Sequence, residues 1–203
     1  MSKIIAIGAA VTVAALVGGT FAVTKLATPT LADCGATAVG GATIGGPFEL
    51  VNHDGVTVTD ADIITQPTLI YFGYTFCPDF CPLDVARNAA AVDILAGQGV
   101  DVTPVFISID PARDTPEVVA DYVAAFHPDM IGLTGTPAQV DAASKAYKTF
   151  YAKADDDPDY YLMQHSTFSY LTLPDQGFVE FFRQDDSPEK VAETVACFVE
   201  ATS

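Results

Sequence analysis

The feature that most constrains the fold is a nearly unbroken apolar run at residues 68–74, TLIYFGY. Such a run is typical of a central strand that is buried on both faces, as in a parallel sheet. A Cys-Pro-rich turn follows it, then a predicted helix over residues 82–96 and a second buried strand over residues 102–109. This order of strand, helix and strand is the unit from which α/β sheets are built.

The rest of the pattern extends this unit on both sides. Residues 48–58 predict a hairpin around an Asp-Gly turn, and residues 168–182 predict a second hairpin. Further predicted elements are helices over residues 114–126, over residues 136–150 and from residue 187 onward, and a short strand over residues 130–133. Tyr147, Phe150 and Tyr151 have the spacing of a buried helical stripe. We therefore predict an α/β fold, a thioredoxin-like sandwich with an added N-terminal hairpin and a helix/hairpin insertion.

The charge of the chain excludes one class of partner. The chain carries 26 acidic and 9 basic side chains, which gives a formal net charge of −17 at pH 7. A polyanion of this kind cannot neutralise phosphates, so the composition excludes nucleic-acid binding. Half of the residues are apolar, which is too large a fraction for an intrinsically disordered chain.

Residues 4–24 form an uncharged, apolar segment between two lysines. At about 1.5 Å per residue, a helix of this length would span about 31 Å, the thickness of a bilayer core. We predict an uncleaved membrane anchor over residues 1–26 and a flexible tether over residues 27–45, which are rich in Thr, Ala, Gly and Pro. A cleaved signal peptide and a lipoprotein box ending at Cys34 are the alternatives. All three would export the domain into an oxidising compartment.

Cys77 and Cys81 lie between the first buried strand and the helix after it, where α/β proteins place their sites. A spacing of four is expected to put both sulfurs on one face of the first helical turn, where the helix N-terminus favours thiolates. Two close thiolates can form a disulfide or bind a soft metal such as Cu(I). His165, just before the second predicted hairpin, is the candidate third ligand, and two thiolates with one imidazole suit three-coordinate Cu(I).

Two other interpretations of these residues stay open. With a fourth ligand the same group would suit zinc, although no fourth ligand is evident in the sequence. Without a metal, Cys77 and Cys81 would form a structural disulfide, and His165 would be a hydrogen-bonded histidine. A three-ligand copper site differs from both, because its open side gives the ligands of another protein access to the metal.

Three further residues are candidates for supporting roles. Asp110 ends the second buried strand, so we expect it at the same end of the sheet as the cysteines. There it could orient His165, meet a partner or satisfy the following turn. Cys34 and Cys197 are expected to form a structural disulfide, because exported chains with an even number of cysteines usually pair them. Two unpaired cysteines, or lipidation of Cys34, are the alternatives.

Residues 73–82, GYTFCPDFCP, resemble the signature of the SCO/SenC family of copper proteins. The other blocks of the family appear in the same order: GGPF at 45–48, ISIDPARDTP at 107–116, GLTG at 132–135, HS at 165–166 and PDQG at 174–177. Two positions depart from many members, which have His where this chain has Phe76 and Asp where it has Gln164. The loss of a carboxylate beside the imidazole would change the affinity or the redox tuning of the site.

The resemblance implies a thioredoxin-like copper-binding domain over residues 46–203. It would be anchored by a single span in the inner (cytoplasmic) membrane, with the domain on the periplasmic side. The resemblance also implies a copper metallochaperone, in which Cys77, Cys81 and His165 bind copper as Cu(I) or Cu(II). The copper would pass to the copper centre of cytochrome c oxidase subunit II during assembly. A periplasmic dithiol reductant would keep the cysteine pair reduced, and another copper donor would load it.

The main alternative function is that of a thiol–disulfide oxidoreductase, which would keep the cysteines of the oxidase subunit reduced. That role would use Cys77 and Cys81 and would make the chain an enzyme, whereas a metallochaperone is not one. A peroxide-reducing thiol enzyme and a copper or redox sensor are further alternatives.

Overall fold

The computed structural model describes residues 29–35, 43–154, 157 and 160–203. The elements in chain order are β1 (Glu49–Asn52), β2 (Thr57–Thr59), α1 (Asp60–Ile63), β3 (Thr68–Gly73), α2 (Phe80–Gly97), β4 (Thr103–Ser108), α3 (Pro116–Ala124), β5 (Ile131–Thr134), α4 (Pro137–Ala146), β6 (Tyr151–Lys153), β7 (Met163–His165), β8 (Ser169–Leu173), β9 (Gly177–Phe182) and α5 (Pro188–Thr202).

A seven-stranded sheet in the order β2-β1-β5-β4-β3-β8-β9 organises the described residues. The central strands β3, β4 and β5 are parallel, whereas the hairpins β1–β2 and β8–β9 join them antiparallel. Every residue of β3 is buried, as its apolar sequence predicts. The predicted α/β class is confirmed, with the N-terminal hairpin at one edge of the sheet.

Apolar side chains fill both faces of this sheet. Leu69 and Ile70 are neighbours in β3, so their side chains point to opposite faces. Ile70 belongs to a first apolar cluster, which also contains Val119 of α3. Leu69 belongs to a second cluster, which contains Leu95 of α2 and Phe198 of α5. The sheet is therefore covered by helices on both sides.

The predicted helix over residues 136–150 is wrong at its C-terminal end. α4 begins as predicted, with a capping box between Thr136 and Gln139, but its last residue is Ala146. Lys148 then adopts a φ of 55°, in the left-handed region, which ends the helix. The chain continues into β6, and Phe150 is exposed instead of buried, although Tyr147 lies in the core as expected. β6 pairs with β7 in a separate two-stranded ribbon, which the sequence did not predict.

The predicted membrane anchor, residues 1–26, lies outside the described residues, as does part of the predicted tether. Within the described ranges, no helix has both the length and the apolar character needed to cross a bilayer. Leu31 and Cys34 pack against the second apolar cluster. A disulfide joins Cys34 to Cys197 of α5, at a sequence separation of 163, and so ties the start of the described chain to its last helix.

Candidate metal centre

The cysteine pair lies in the turn between β3 and α2. α2 begins at Phe80 with Asp79 as its N-cap, so Cys81 is in the first turn and Cys77 precedes the helix. This corrects the expectation that both sulfurs lie on one face of the first turn. The turn nevertheless brings them together, because the backbone N–H of Cys81 donates to the Cys77 sulfur at 3.4 Å.

Gly73, the last residue of β3, makes room for the Cys81 side chain. A Cβ atom at position 73 would lie 3.0 Å from the Cys81 sulfur and 3.1 Å from a ring carbon of Phe106. Cys81 and Phe106 are both completely buried, so neither can move aside at low cost. The strand therefore needs a residue without a side chain at the point where it meets the cysteine.

The third candidate ligand, His165, is the last residue of β7. Its Nε2 atom lies 3.3 Å from the Cys81 sulfur. Its Nδ1 atom lies 2.8 Å from the carbonyl oxygen of Ser166, which can only accept a hydrogen bond. In the neutral ring Nδ1 therefore carries the proton, and the lone pair of Nε2 faces the sulfur. This tautomer presents Nε2 as a metal ligand.

Two sulfur atoms and one imidazole nitrogen thus converge at one place. The ligand atoms of Cys77, Cys81 and His165 all lie within 4.8 Å of one another. Cys81 is completely buried, whereas Cys77 and His165 are partly exposed. A cavity of about 350 Å³ lies in front of the group and is lined in part by Cys77, Phe80, Leu162 and His165. The site is therefore closed behind Cys81 and open beside the other two residues.

The two cysteines differ in their affinity for a proton. The hydrogen bond from the Cys81 side chain lowers the pKa of Cys77 far below that of an ordinary thiol, against the opposing effect of burial. The pKa of Cys81 is raised, first by the Cys77 sulfur that accepts its hydrogen bond and then by burial. In the reduced, metal-free protein one proton is therefore held on Cys81, and Cys77 is a thiolate at neutral pH.

A buried polar network lies behind the cysteines. The Tyr71 hydroxyl donates to Asp84 at 3.1 Å, and Asp84 forms a 2.9 Å salt bridge with Arg87, which also donates to Ser169 at 2.7 Å. The ring of Tyr71 meets the His165 ring edge-on, with 6.2 Å between centroids. Burial raises the pKa of Asp84, and the Arg87 charge opposes that effect. The network supports one side of the histidine and the helix of Cys81.

Sequence reasoning missed this network, although α2 contains a signal for it. Asp84 and Asn88 lie three and seven positions after Cys81, so the three residues share one helix face. That face also carries the apolar Val85 and Val92, so polar side chains on it are expected to be buried and paired.

Asp110 does not orient His165 by direct contact. It lies at the predicted end of the sheet and is buried, but its carboxylate accepts hydrogen bonds from Arg113 at 2.5 Å and from the Tyr161 hydroxyl at 2.7 Å. Cys34 and Cys197 also lie apart from the site, because they pack in the second apolar cluster. Cys77 and Cys81 pack in the first.

The two positions that depart from the family pattern are exposed. The Phe76 ring lies 4.9 Å from the Arg113 guanidinium and is directed at solvent over half of its surface. Gln164 is paired with Ala152 in the ribbon. Because side chains alternate along a strand, Gln164 points away from the face that carries His165.

Comparisons with known proteins agree with this geometry. The family model described as SCO1/SenC matches residues 36–200. Protein SenC of Rhodobacter capsulatus is 50% identical over 203 residues, which cover 98% of this chain and 92% of that protein. The mitochondrial SCO1 homolog 1 of Arabidopsis thaliana is 43% identical over 157 residues, which cover 77% of this chain and 47% of that protein. The chain thus spans about half the length of the plant relative.

A solved structure shares the fold. The crystal structure of Arabidopsis thaliana ScoI with copper bound matches with a TM-score of 0.73 and 41% sequence identity. The match covers 77% of this chain and 99% of the ScoI chain. The predicted thioredoxin-like sandwich is confirmed by this likeness.

The difference between the two cysteines predicts how their alkylation depends on pH. An ordinary thiol loses about tenfold in thiolate for each pH unit below about 8.5. Because the pKa of Cys77 is lowered, its thiolate persists as the pH falls, and its reaction with iodoacetamide should stay nearly constant through neutral and mildly acidic pH. Cys81, buried and protonated, should react far more slowly. Mass spectrometry of the reduced, metal-free protein measures both rates.

The variant Cys81→Ala provides the control for this experiment, because it removes the side-chain hydrogen bond that lowers the pKa of Cys77 most and keeps the backbone N–H of residue 81. Alkylation of Cys77 should then fall more steeply with decreasing pH than it does in the unaltered protein. Equal reaction rates for Cys77 and Cys81 in the unaltered protein would contradict the assignment of the proton to Cys81.

Proposed function

The chain belongs to the SCO1/SenC family, and we propose that it is a membrane-anchored copper metallochaperone. In this proposal Cys77, Cys81 and His165 bind copper, as Cu(I) and also as Cu(II). They deliver it to the copper centre of cytochrome c oxidase subunit II during assembly. The observation that carries the proposal is the convergence of two sulfurs and one imidazole nitrogen within 4.8 Å. A related protein of known structure, Arabidopsis ScoI, has copper bound.

The donor atoms favour copper over zinc. Thiolates are soft ligands that select Cu(I), and imidazole is compatible with both oxidation states of copper. A structural zinc site usually has four protein ligands. In the part of the chain that the structure describes, the only group of at least three candidate metal ligands has three members. Cu(I) accepts three-coordination, so these three residues would suffice to hold it, and the cavity beside Cys77 and His165 would give another protein's ligand access to the ion.

Loading of the site requires a reduced cysteine pair. A disulfide between Cys77 and Cys81 has no thiolate to offer, and in an oxidising compartment this disulfide would form. The proposal therefore includes a periplasmic dithiol partner that reduces the pair, and a second protein that donates copper. When copper binds, Cys81 releases the proton that it holds in the metal-free state.

Exposed apolar side chains at the open side of the site support a role in delivery. Phe80 and Leu162 are exposed and line the cavity in front of the ligands, and Phe76 and Leu83, which are near the cysteines in the chain, are exposed as well. Exposed apolar side chains that cluster at a site are typical of a surface that another protein covers. An acceptor that docks there brings its own ligands to the vacant side of the copper.

The location follows from the N-terminal segment and is part of the proposal. The uncharged residues 4–24 have the length of a single membrane span. We assign residues 1–26 to an anchor in the inner membrane and residues 46–203 to a copper-binding domain on the periplasmic side.

A second candidate function is favoured by the state of the cysteine pair. A thiolate at Cys77 beside a protonated Cys81 is also the arrangement that disulfide exchange requires. The chain would then act as a thiol–disulfide oxidoreductase on the cysteines of the oxidase subunit. His165 would have no role as a metal ligand in that reaction.

The proposed ligand set is tested by the variants Cys77→Ala, Cys81→Ala and His165→Ala. Loss of an outer-shell partner typically lowers metal affinity by about 10- to 100-fold, so loss of a ligand should lower Cu(I) affinity by at least that factor. Competition with a coloured Cu(I) chelator measures the affinity. His53→Ala is the control, because His53 lies in the β1–β2 turn and accepts a hydrogen bond from Gly132. If the three ligand variants bound Cu(I) as tightly as the His53→Ala control, the proposed site would be ruled out.

Delivery is tested by the rate of copper transfer to the soluble copper-binding domain of oxidase subunit II. Phe80→Ser should slow transfer by about tenfold, equivalent to about 1.4 kcal/mol of lost docking energy, and should leave Cu(I) affinity unchanged. Val56→Ser is the matched control, because Val56 is an apolar residue about as exposed as Phe80, at 55% against 50%. Val56 lies in the turn between β1 and β2 and does not line the cavity. Equal rates in both variants would refute docking at this surface, and an absence of transfer from the unaltered protein would refute delivery.

A further inference from the structure

The strand that carries His165 is not part of the sheet that supports the cysteine pair. β6 and β7 form a ribbon of two three-residue strands, in which Tyr151 is paired with His165. A two-stranded ribbon is only marginally stable on its own. The distance between the imidazole and the sulfurs therefore depends on the contacts that hold the ribbon against the rest of the molecule.

Tyr161, two residues before β7, makes several of these contacts. Arg113 Cζ lies 3.6 Å from the centroid of its ring, and Lys153 Nζ, which belongs to strand β6 of the ribbon itself, lies 3.8 Å from the same centroid. The Tyr161 hydroxyl donates to the Asp110 carboxylate at 2.7 Å, and its carbonyl oxygen accepts a hydrogen bond from Arg113 Nη1 at 2.9 Å. Tyr161 and Asp110 are both buried, so water does not compete strongly for these bonds.

Asp110 and Arg113 belong to the main body of the fold. They lie in the segment between β4 and α3, where Arg113 Nε bonds to the Asp110 carboxylate. The guanidinium of Arg113 also lies 5.8 Å from the Tyr74 ring centroid and 4.9 Å from that of Phe76. Tyr74 and Phe76 are in the turn that carries Cys77. One guanidinium therefore contacts both the cysteine turn and the segment that leads to the histidine.

We infer that Asp110, Arg113 and Tyr161 form a latch that positions His165 over the cysteine pair. The inference rests on the proposed copper function, and it adds the means by which one ligand is held in place and released. The latch residues bond to one another and to aromatic rings, so they are positioning residues and not ligands. Opening of the latch would withdraw the imidazole while both sulfurs stay bound, which frees a coordination position for the ligand of an acceptor protein.

The latch is tested by two changes at Tyr161. Tyr161→Phe keeps the ring under the cations and removes the bond to Asp110, whereas Tyr161→Ala removes both interactions. Cu(I) affinity, measured by chelator competition, should fall by about 10- to 100-fold in Tyr161→Ala and by less in Tyr161→Phe. Tyr147→Phe is the matched control, because Tyr147 is also buried and its hydroxyl lies 3.5 Å from Thr172 Oγ1, outside the site. Its Cu(I) affinity should not change.

A second measurement separates positioning from a purely structural role. In the reduced, metal-free protein the NMR signals of the His165 ring should be single and sharp, as they should be in Tyr147→Phe. In the Tyr161 variants these signals should broaden or double, because the ribbon samples more than one position. Tyr161 variants that lose thermal stability but keep the ring signals and the Cu(I) affinity of the control would overturn the latch.

The failure of the latch can be distinguished from the failure of the proposed function. If His165→Ala binds Cu(I) as tightly as the unaltered protein, the proposed ligand set is wrong and the latch has no ligand to position. If His165→Ala loses affinity while Tyr161→Ala does not, the copper site stands and the latch alone is refuted.

Discussion

The contact between the Cys81 sulfur and the His165 ring is the interaction on which the rest of the site depends. The two atoms lie 3.3 Å apart although 84 positions separate the residues in the chain. Cys81 is fixed by the main sheet, because β3 ends in a glycine that leaves space for its sulfur. His165 is fixed by a small ribbon that must dock against the main body. The metal-binding group therefore exists only when two separately built parts of the fold are in contact.

Unequal burial gives the three candidate ligands different tasks. Cys81 is sealed in the core and holds a proton in the metal-free state, whereas Cys77 is a partly exposed thiolate. A soft metal that approached from the open side would meet the partly exposed Cys77 and His165 before the buried Cys81. The same asymmetry leaves one direction open, in front of which exposed apolar side chains offer a surface for a protein partner. The proposed delivery of copper would use both properties.

Much of this arrangement could be predicted from the sequence, because its strongest signals are local. The apolar run of β3, the Cys-Pro-rich turn and the capping box of α4 are all readable within about ten residues. The end of α4 could not be predicted in this way. Apolar residues at helical spacing continue past Lys148, but the left-handed conformation of Lys148 stops the helix. The partner of Asp110 was not predictable either, because Tyr161 lies 51 positions away and reaches it only when the ribbon docks. The position of His165 before a predicted hairpin made it the candidate third ligand, and the family resemblance supported that choice, but only the folded chain brings its ring and the sulfurs together.

The most direct test of the central claim is X-ray absorption spectroscopy at the copper edge of the reduced protein loaded with one equivalent of Cu(I). Two sulfur neighbours and one nitrogen neighbour are expected, matching the three side chains whose ligand atoms converge in the structure. In His165→Ala the nitrogen contribution should disappear while both sulfurs remain. A spectrum with sulfur neighbours alone in the unaltered protein, or one that is identical in His165→Ala, would contradict the account.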